Sequence, residues 1–105
     1  MNVDINTRLE KELDLWITEL KKAVEEEKLS ELMDSVLELT RKQTLTEKWE
    51  TTGYELLLAW GGPTVWLDTD TCEIVGNWAP HHITKKVNNE ICDKINEYLD
   101  EIYEE

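Results

Sequence analysis

Tyr54-Glu55-Leu56-Leu57-Leu58-Ala59-Trp60-Gly61-Gly62-Pro63-Thr64-Val65-Trp66-Leu67-Asp68 is the stretch that decides the fold. Its apolar and aromatic residues come in two short runs, with Gly53 in front of the first and Gly61-Gly62-Pro63 between them. Glycine permits positive φ and proline fixes the exit, so the break reads as a tight connection between two strands. Asp68-Thr69-Asp70-Thr71 follows as a turn closed by Asx-type hydrogen bonds. Cys72-Glu73-Ile74-Val75-Gly76-Asn77-Trp78 then makes a third run. Three short runs joined by turns over residues 53–78 predict a three-stranded antiparallel meander. Such a sheet is marginal alone, so helices are expected to cover one of its faces.

Helical periodicity lies on both sides of this cluster. Ile5, Leu9, Leu13, Trp16, Ile17, Leu20, Ala23 and Val24 share one arc of a helical wheel, predicting an amphipathic helix over 5–27. Leu15 falls off that arc, either as an isolated surface leucine or as part of a contact with another chain. A second helix is expected over 30–42, with Ser30 as its N-cap, an apolar face of Leu29, Leu32, Met33, Val36, Leu37 and Leu39, and Arg41 and Lys42 in its last turn. Ala79-Pro80-His81-His82 reads as a loop leading to a last helix over 84–104, capped by Thr84, whose apolar arc includes Val87, Ile91, Cys92, Ile95, Tyr98, Leu99 and Ile102. The expected architecture is therefore one α+β domain over 1–105 in the order α-α-β-β-β-α.

Charge narrows the function. The chain carries 24 Asp+Glu against 11 Lys+Arg, a formal net charge of −13. That balance argues against direct binding of nucleic acid, which needs a basic patch, and against an anionic membrane surface. No apolar run approaches a membrane span, and the first residues carry neither the basic nor the apolar region of a signal peptide. Two cysteines make no disulfide framework, which points to a reducing, cytoplasmic setting.

The acids are unevenly placed. No Lys or Arg occurs between Trp49 and Thr84, whereas Glu50, Glu55, Asp68, Asp70 and Glu73 do. From Glu90 to Glu105 there are seven acids and one base, Lys94. On the last helix Glu90, Asp93, Glu97, Asp100, Glu101, Glu104 and Glu105 share one arc, at a net density of about one charge per 4 Å of axis. A single nucleic-acid strand carries one per about 3.4 Å. Such a stripe is either a solvated face or a mimic of phosphates that attracts a basic groove. The strands offer a second candidate. If Val65 and Leu67 face the helices, Trp66 faces the other way, beside Glu55, Asp68 and Glu73. Exposed Trp is a frequent anchor of binding surfaces, although Trp60, Trp66 and Trp78 can equally serve as core in a chain without Phe.

Motifs for chemistry are thin. Asp68-Thr69-Asp70-Thr71 is similar to the DxDxT pattern of haloacid-dehalogenase-type phosphatases, but the chain is too short for their parallel α/β fold and no partner motifs accompany it. As an EF-hand loop the same segment fails, because Cys72, Glu73 and Ala79 stand where a ligand, Gly and Glu are needed. Cys72, His81, His82 and Cys92 lack zinc-ligand spacing, and neither cysteine has a motif that lowers its pKa. Gly61-Gly62-Pro63 is not a phosphate loop, since no Lys follows. No catalytic residues, metal site or cofactor are therefore expected, and the chain reads as a non-enzyme.

Tyr54 to Pro63, together with Trp66 and Gly76-Asn77-Trp78, resembles an aromatic, aliphatic-run, Gly-Gly-Pro pattern of small acidic accessory proteins of phages and mobile elements. The resemblance spans about 25 residues, Tyr54 to Trp78, and leaves the helical flanks uncovered. It implies the company of anti-CRISPR and anti-restriction inhibitors, many of them acidic proteins that block a nucleic-acid groove, and it carries over no catalytic residue. The expected partner is a basic nucleic-acid-binding protein or complex, in the cytoplasm of a host cell if the chain is phage-encoded. The candidate contacts are Glu55, Trp66, Asp68, Asp70, Glu73, Glu90, Asp93, Glu97, Asp100, Glu101 and Glu104. An alternative is an oligomeric structural or regulatory module that pairs through the first helix, where Leu9, Leu13, Trp16 and Leu20 are spaced like a heptad seam.

Overall fold

A computed structural model describes residues 4–103. Two helices, α1 (Ile5–Glu25) and α2 (Leu29–Ser35), precede five strands: β1 (Glu38–Leu45), β2 (Trp49–Ala59), β3 (Thr64–Asp68), β4 (Glu73–Trp78) and β5 (His81–Lys86). Helix α3 (Asn89–Tyr103) closes the chain. The strands form one antiparallel meander in the order β1-β2-β3-β4-β5.

The α+β class stands, but the three-stranded sheet and the α-α-β-β-β-α order are overturned by five strands in the order α-α-β-β-β-β-β-α. The predicted helix 30–42 is split. Its first part is the short α2, which starts at Leu29 with Lys28 rather than Ser30 in the cap position. Val36 then turns extended, and residues 38–45 become β1. Pairing with β2 decides this. Leu39 lies opposite Leu56, so the strand satisfies backbone groups along an otherwise open edge of β2 while tucking Leu39 against the core. The predicted helix 84–104 loses its first turns in the same way. Thr84 lies in β5 opposite Val75, and the helix begins at Asn89, where the Asn88 side chain accepts from the Glu90 amide at 2.8 Å.

Helix α1 matches its periodicity. Asp4 caps it by accepting from the Asn6 amide at 3.0 Å, and Glu27 ends it in the left-handed region at φ 55°. Leu9, Leu13 and Leu20 are fully buried against the sheet. Gly76 permits the close approach: a Cβ there would lie 2.8 Å from Leu9 Cδ1 and 2.9 Å from Leu13 Cδ2. The remaining core comes from one face of the sheet (Tyr54, Leu56, Leu58, Val65, Leu67 and Ile74) and from Ile91, Ile95 and Leu99 of α3. All three helices contribute to this one core, leaving the opposite face of the sheet open.

The cysteines depart from expectation. Cys72 and Cys92 are joined as a disulfide, with Cα atoms 5.9 Å apart. The bond ties the β3–β4 turn to the first turn of α3 beneath Val87 and Asn88. The cysteine count therefore no longer supports a reducing compartment. No helix among the described residues is long and apolar enough to cross a membrane.

Candidate partner-binding surfaces

Register places the open face row by row. Thr40, Glu55, Asp68, Glu73 and Lys86 are successive cross-strand neighbours from β1 to β5. The adjacent row is Glu38, Leu57, Trp66, Val75 and Thr84. An acidic row thus runs alongside an apolar one, two residues apart along the strands. Val65 and Leu67 are buried on the covered face and Trp66 is half-buried on the open one.

A register shift in β2 adds a second indole. Leu57 pairs with Trp66, but Ala59 rather than Leu58 faces Val65. Leu58 and Ala59 both pack toward the core, which sets Trp60 on the open side. There Trp60, 74% exposed, lines a depression of about 290 Å³ with Glu38, Glu55, Leu57, Thr64 and Trp66. Sequence reasoning missed Glu38, because it assigned that residue to a helix, and the placement of Trp60, because nothing in Leu58-Ala59 announces a bulge.

Cations on this face are already engaged. Lys42 Nζ lies 2.8 Å from Asp68 Oδ2 and 3.4 Å from Asp70 Oδ2. Its hydrogen bond to Asp68 holds the Lys42 pKa above the usual lysine value, against the opposing effect of burial. Burial pushes Asp68 upward, but Lys42 and the turn amides of Thr71 and Asp70 outweigh it, so its pKa is lowered. Asp68 Oδ1 accepts those amides at 2.9 Å (Asp70) and 3.2 Å (Thr71), the Asx turn read from the sequence. Asp68 and Asp70 therefore hold a turn and a lysine, whereas Glu38, Glu55 and Glu73 have no ion-pair partner among the described residues. Gly53 brings the turn close, since a Cβ on it would lie 2.6 Å from the Asp70 amide nitrogen.

The α3 stripe lies on the other side of the molecule. Ile91, Cys92, Ile95 and Leu99 face inward, and Glu90, Asp93, Glu97 and Glu101 are exposed on the far side of the helix. Polar contacts pin the helix, among them one from Arg41, which donates to the Tyr103 carbonyl at 2.9 Å. Tyr54 OH donates to Asp100 Oδ1 at 2.7 Å, and Thr69 Oγ1 donates to Asn96 Oδ1 at 2.6 Å. Glu97 pairs with Lys94 at 3.6 Å, with both side chains more than half exposed. Glu90, Asp93 and Glu101 have no ion-pair partner among the described residues. Glu104 and Glu105 lie outside the described residues. The predicted contacts thus fall on two opposite surfaces, which one flat partner cannot cover together.

Other sequence motifs are occupied locally. His82 lies in β5, its Nδ1 bonded to Asn77 Oδ1, and His81 pairs across from Trp78. Among the described residues no three His, Cys, Asp or Glu side chains gather as a metal site. The heptad-like seam of α1 is largely spent, because Leu9, Leu13 and Leu20 are inside this chain's own core, while Leu15 remains 63% exposed. No known family model, curated protein or solved structure matches the chain.

Proposed function

We propose that this chain is a small acidic binding protein whose α3 stripe docks on the basic, nucleic-acid-binding surface of a larger protein and competes with the nucleic acid there. One observation carries the reading. Four carboxylates (Glu90, Asp93, Glu97 and Glu101) are exposed on the outward side of a helix anchored from beneath, with Lys94 the only cation paired among them in the described residues. Glu90 to Glu101 spans about 17 Å, so these carboxylates recur about every 5.5 Å, a row somewhat sparser than the roughly 3.4 Å per phosphate of one strand. A rigid row of charge steers association with a cationic cleft and does so most strongly at low salt.

The Tyr54–Trp78 resemblance adds the narrower reading of an anti-CRISPR-like inhibitor without enzymatic activity, acting in a host cytoplasm. In that compartment Cys72–Cys92 would meet a reducing poise.

The test is competitive capture. The immobilised chain is exposed to a bacterial lysate in low salt, and bound proteins are eluted with duplex DNA or with heparin. Nucleic-acid-binding proteins released by both competitors, and lost when Glu90, Glu97 and Glu101 are all changed to Lys, are the expected result. Capture of the same proteins by that triple variant overturns the reading.

A further inference from the structure

We propose a second binding site on the open face of the sheet, which takes an arginine side chain from an extended segment of another protein. The guanidinium lies against the Trp66 indole, and the Glu38 and Glu55 carboxylates receive its N–H groups.

The depression between Trp60 and Trp66 sets the chemistry of the occupant. Its floor is apolar at Leu57 and Trp66, Glu38 stands on its β1 side, and Glu55 stands two residues along β2 from Leu57. Neither carboxylate meets a cation among the described residues. The two cations nearest in register are committed elsewhere: Lys42 to Asp68 and Asp70, and Lys86 to the Thr71 carbonyl at 2.8 Å. A cation from outside is the complement this surface lacks.

Arginine fits better than lysine for two reasons. Its planar guanidinium covers an indole face while its edge N–H groups reach carboxylates in a fork, whereas an ammonium offers a single strongly hydrated point. The molecule also contains the pairing already, because the Arg8 guanidinium lies 4.9 Å from the Trp78 ring centre. Glu38 and Leu57 are direct cross-strand neighbours, as are Leu57 and Trp66, so a carboxylate and an indole flank one leucine. A guanidinium laid over Leu57 lies between the two, against the edge of the Trp66 indole and within reach of the Glu38 carboxylate.

This site does not rest on the α3 reading. It lies on the opposite side of the sheet, so each surface can be removed without touching the other.

The probe is a Gly-Ser peptide carrying two arginines, titrated into the full chain at physiological salt and followed by the indole N–H resonances of the tryptophans. Saturable shifts at Trp60 and Trp66, with weaker binding of the matched lysine peptide, are expected. Trp66→Ala should abolish the shift at Trp60. Glu38→Gln combined with Glu55→Gln, a pair of exposed-face changes that leave the core intact, should weaken binding at least about tenfold, the scale of a lost charged fork. The α3 triple reversal should leave the titration unchanged. Equal binding of the two peptides, shifts confined to α3, or full retention in the double Gln variant would each overturn the proposal.

Discussion

The two faces of the sheet are built on opposite rules. On the covered face, Leu56, Val65, Leu67 and Ile74 meet Leu9, Leu13 and Leu20 with no exposure, and even a glycine Cβ at position 76 would find no room. On the open face, Glu55, Trp66, Glu73 and Val75 stand half-buried, with no helix among the described residues laid over them. Stability is concentrated on the first face, which leaves the second free to be shaped for contact. An acidic row beside an apolar row, with the Trp66 indole within it and the Trp60 indole at its margin, is more than solubility alone requires.

Truncation on the covered face breaks this contrast most severely. Leu13→Ala or Leu56→Ala should cost about 2–5 kcal/mol, read as a lower midpoint in urea unfolding. Next comes the tie beneath α3. Replacing Cys72 and Cys92 by Ser opens a loop of sequence separation 20 and should cost about 3 kcal/mol in the chain-entropy account. The same loss should appear when the unaltered chain is unfolded in dithiothreitol.

A smaller effect is expected where the open face meets the β3–β4 turn. Asp68→Asn should cost about 1–2 kcal/mol at neutral pH, because it weakens a partly buried, charge-assisted bond to Lys42 and changes the acceptor of two turn amides. The pH dependence follows from the shift. Asp68 is held below its ordinary 3.8 in the folded chain, so its contribution is present above about pH 4 and fades as pH falls through the lowered value. The gap between wild type and variant should therefore close in acid. Lys42, raised above its ordinary 10.5, contributes fully below that pH and loses its contribution in stronger alkali. The smallest effect belongs to the rim. Trp60→Ala should leave stability within about 0.5 kcal/mol, because the ring is mostly in water, while weakening the arginine peptide severalfold. A large loss of stability there would mean that the open face carries structure after all.

The part of the fold legible in the sequence was its interior. β2, β3 and β4 carry dense apolar runs because they lie in the middle of the sheet, and α1 shows its stripe because it is long and one-sided. The two missed strands are both edges. Glu38-Leu39-Thr40-Arg41-Lys42-Gln43-Thr44-Leu45 and His81-His82-Ile83-Thr84-Lys85-Lys86 are mostly polar, as edge strands are when they avoid pairing with other chains. Leu39 and Ile83 are too few to show a period of two. The β4–β5 turn hid as well. Ala79 takes φ 53° without the glycine or asparagine that announces such a turn, and Pro80 reads as the end of the sheet. Of the candidate contacts, the outward acids of α3 were visible from helical spacing alone. The pocket on the open face was not, because Glu38 and Trp60 reach it through strand register and a bulge, which only pairing reveals.

The sulfur bridge has a topological consequence. It encloses β4 and β5 in a covalent ring, so cutting any peptide bond between Cys72 and Cys92 releases no fragment. A protease nick at Ala79-Pro80 would leave one particle of unchanged mass, apart from one added water, until a reductant divides it in two.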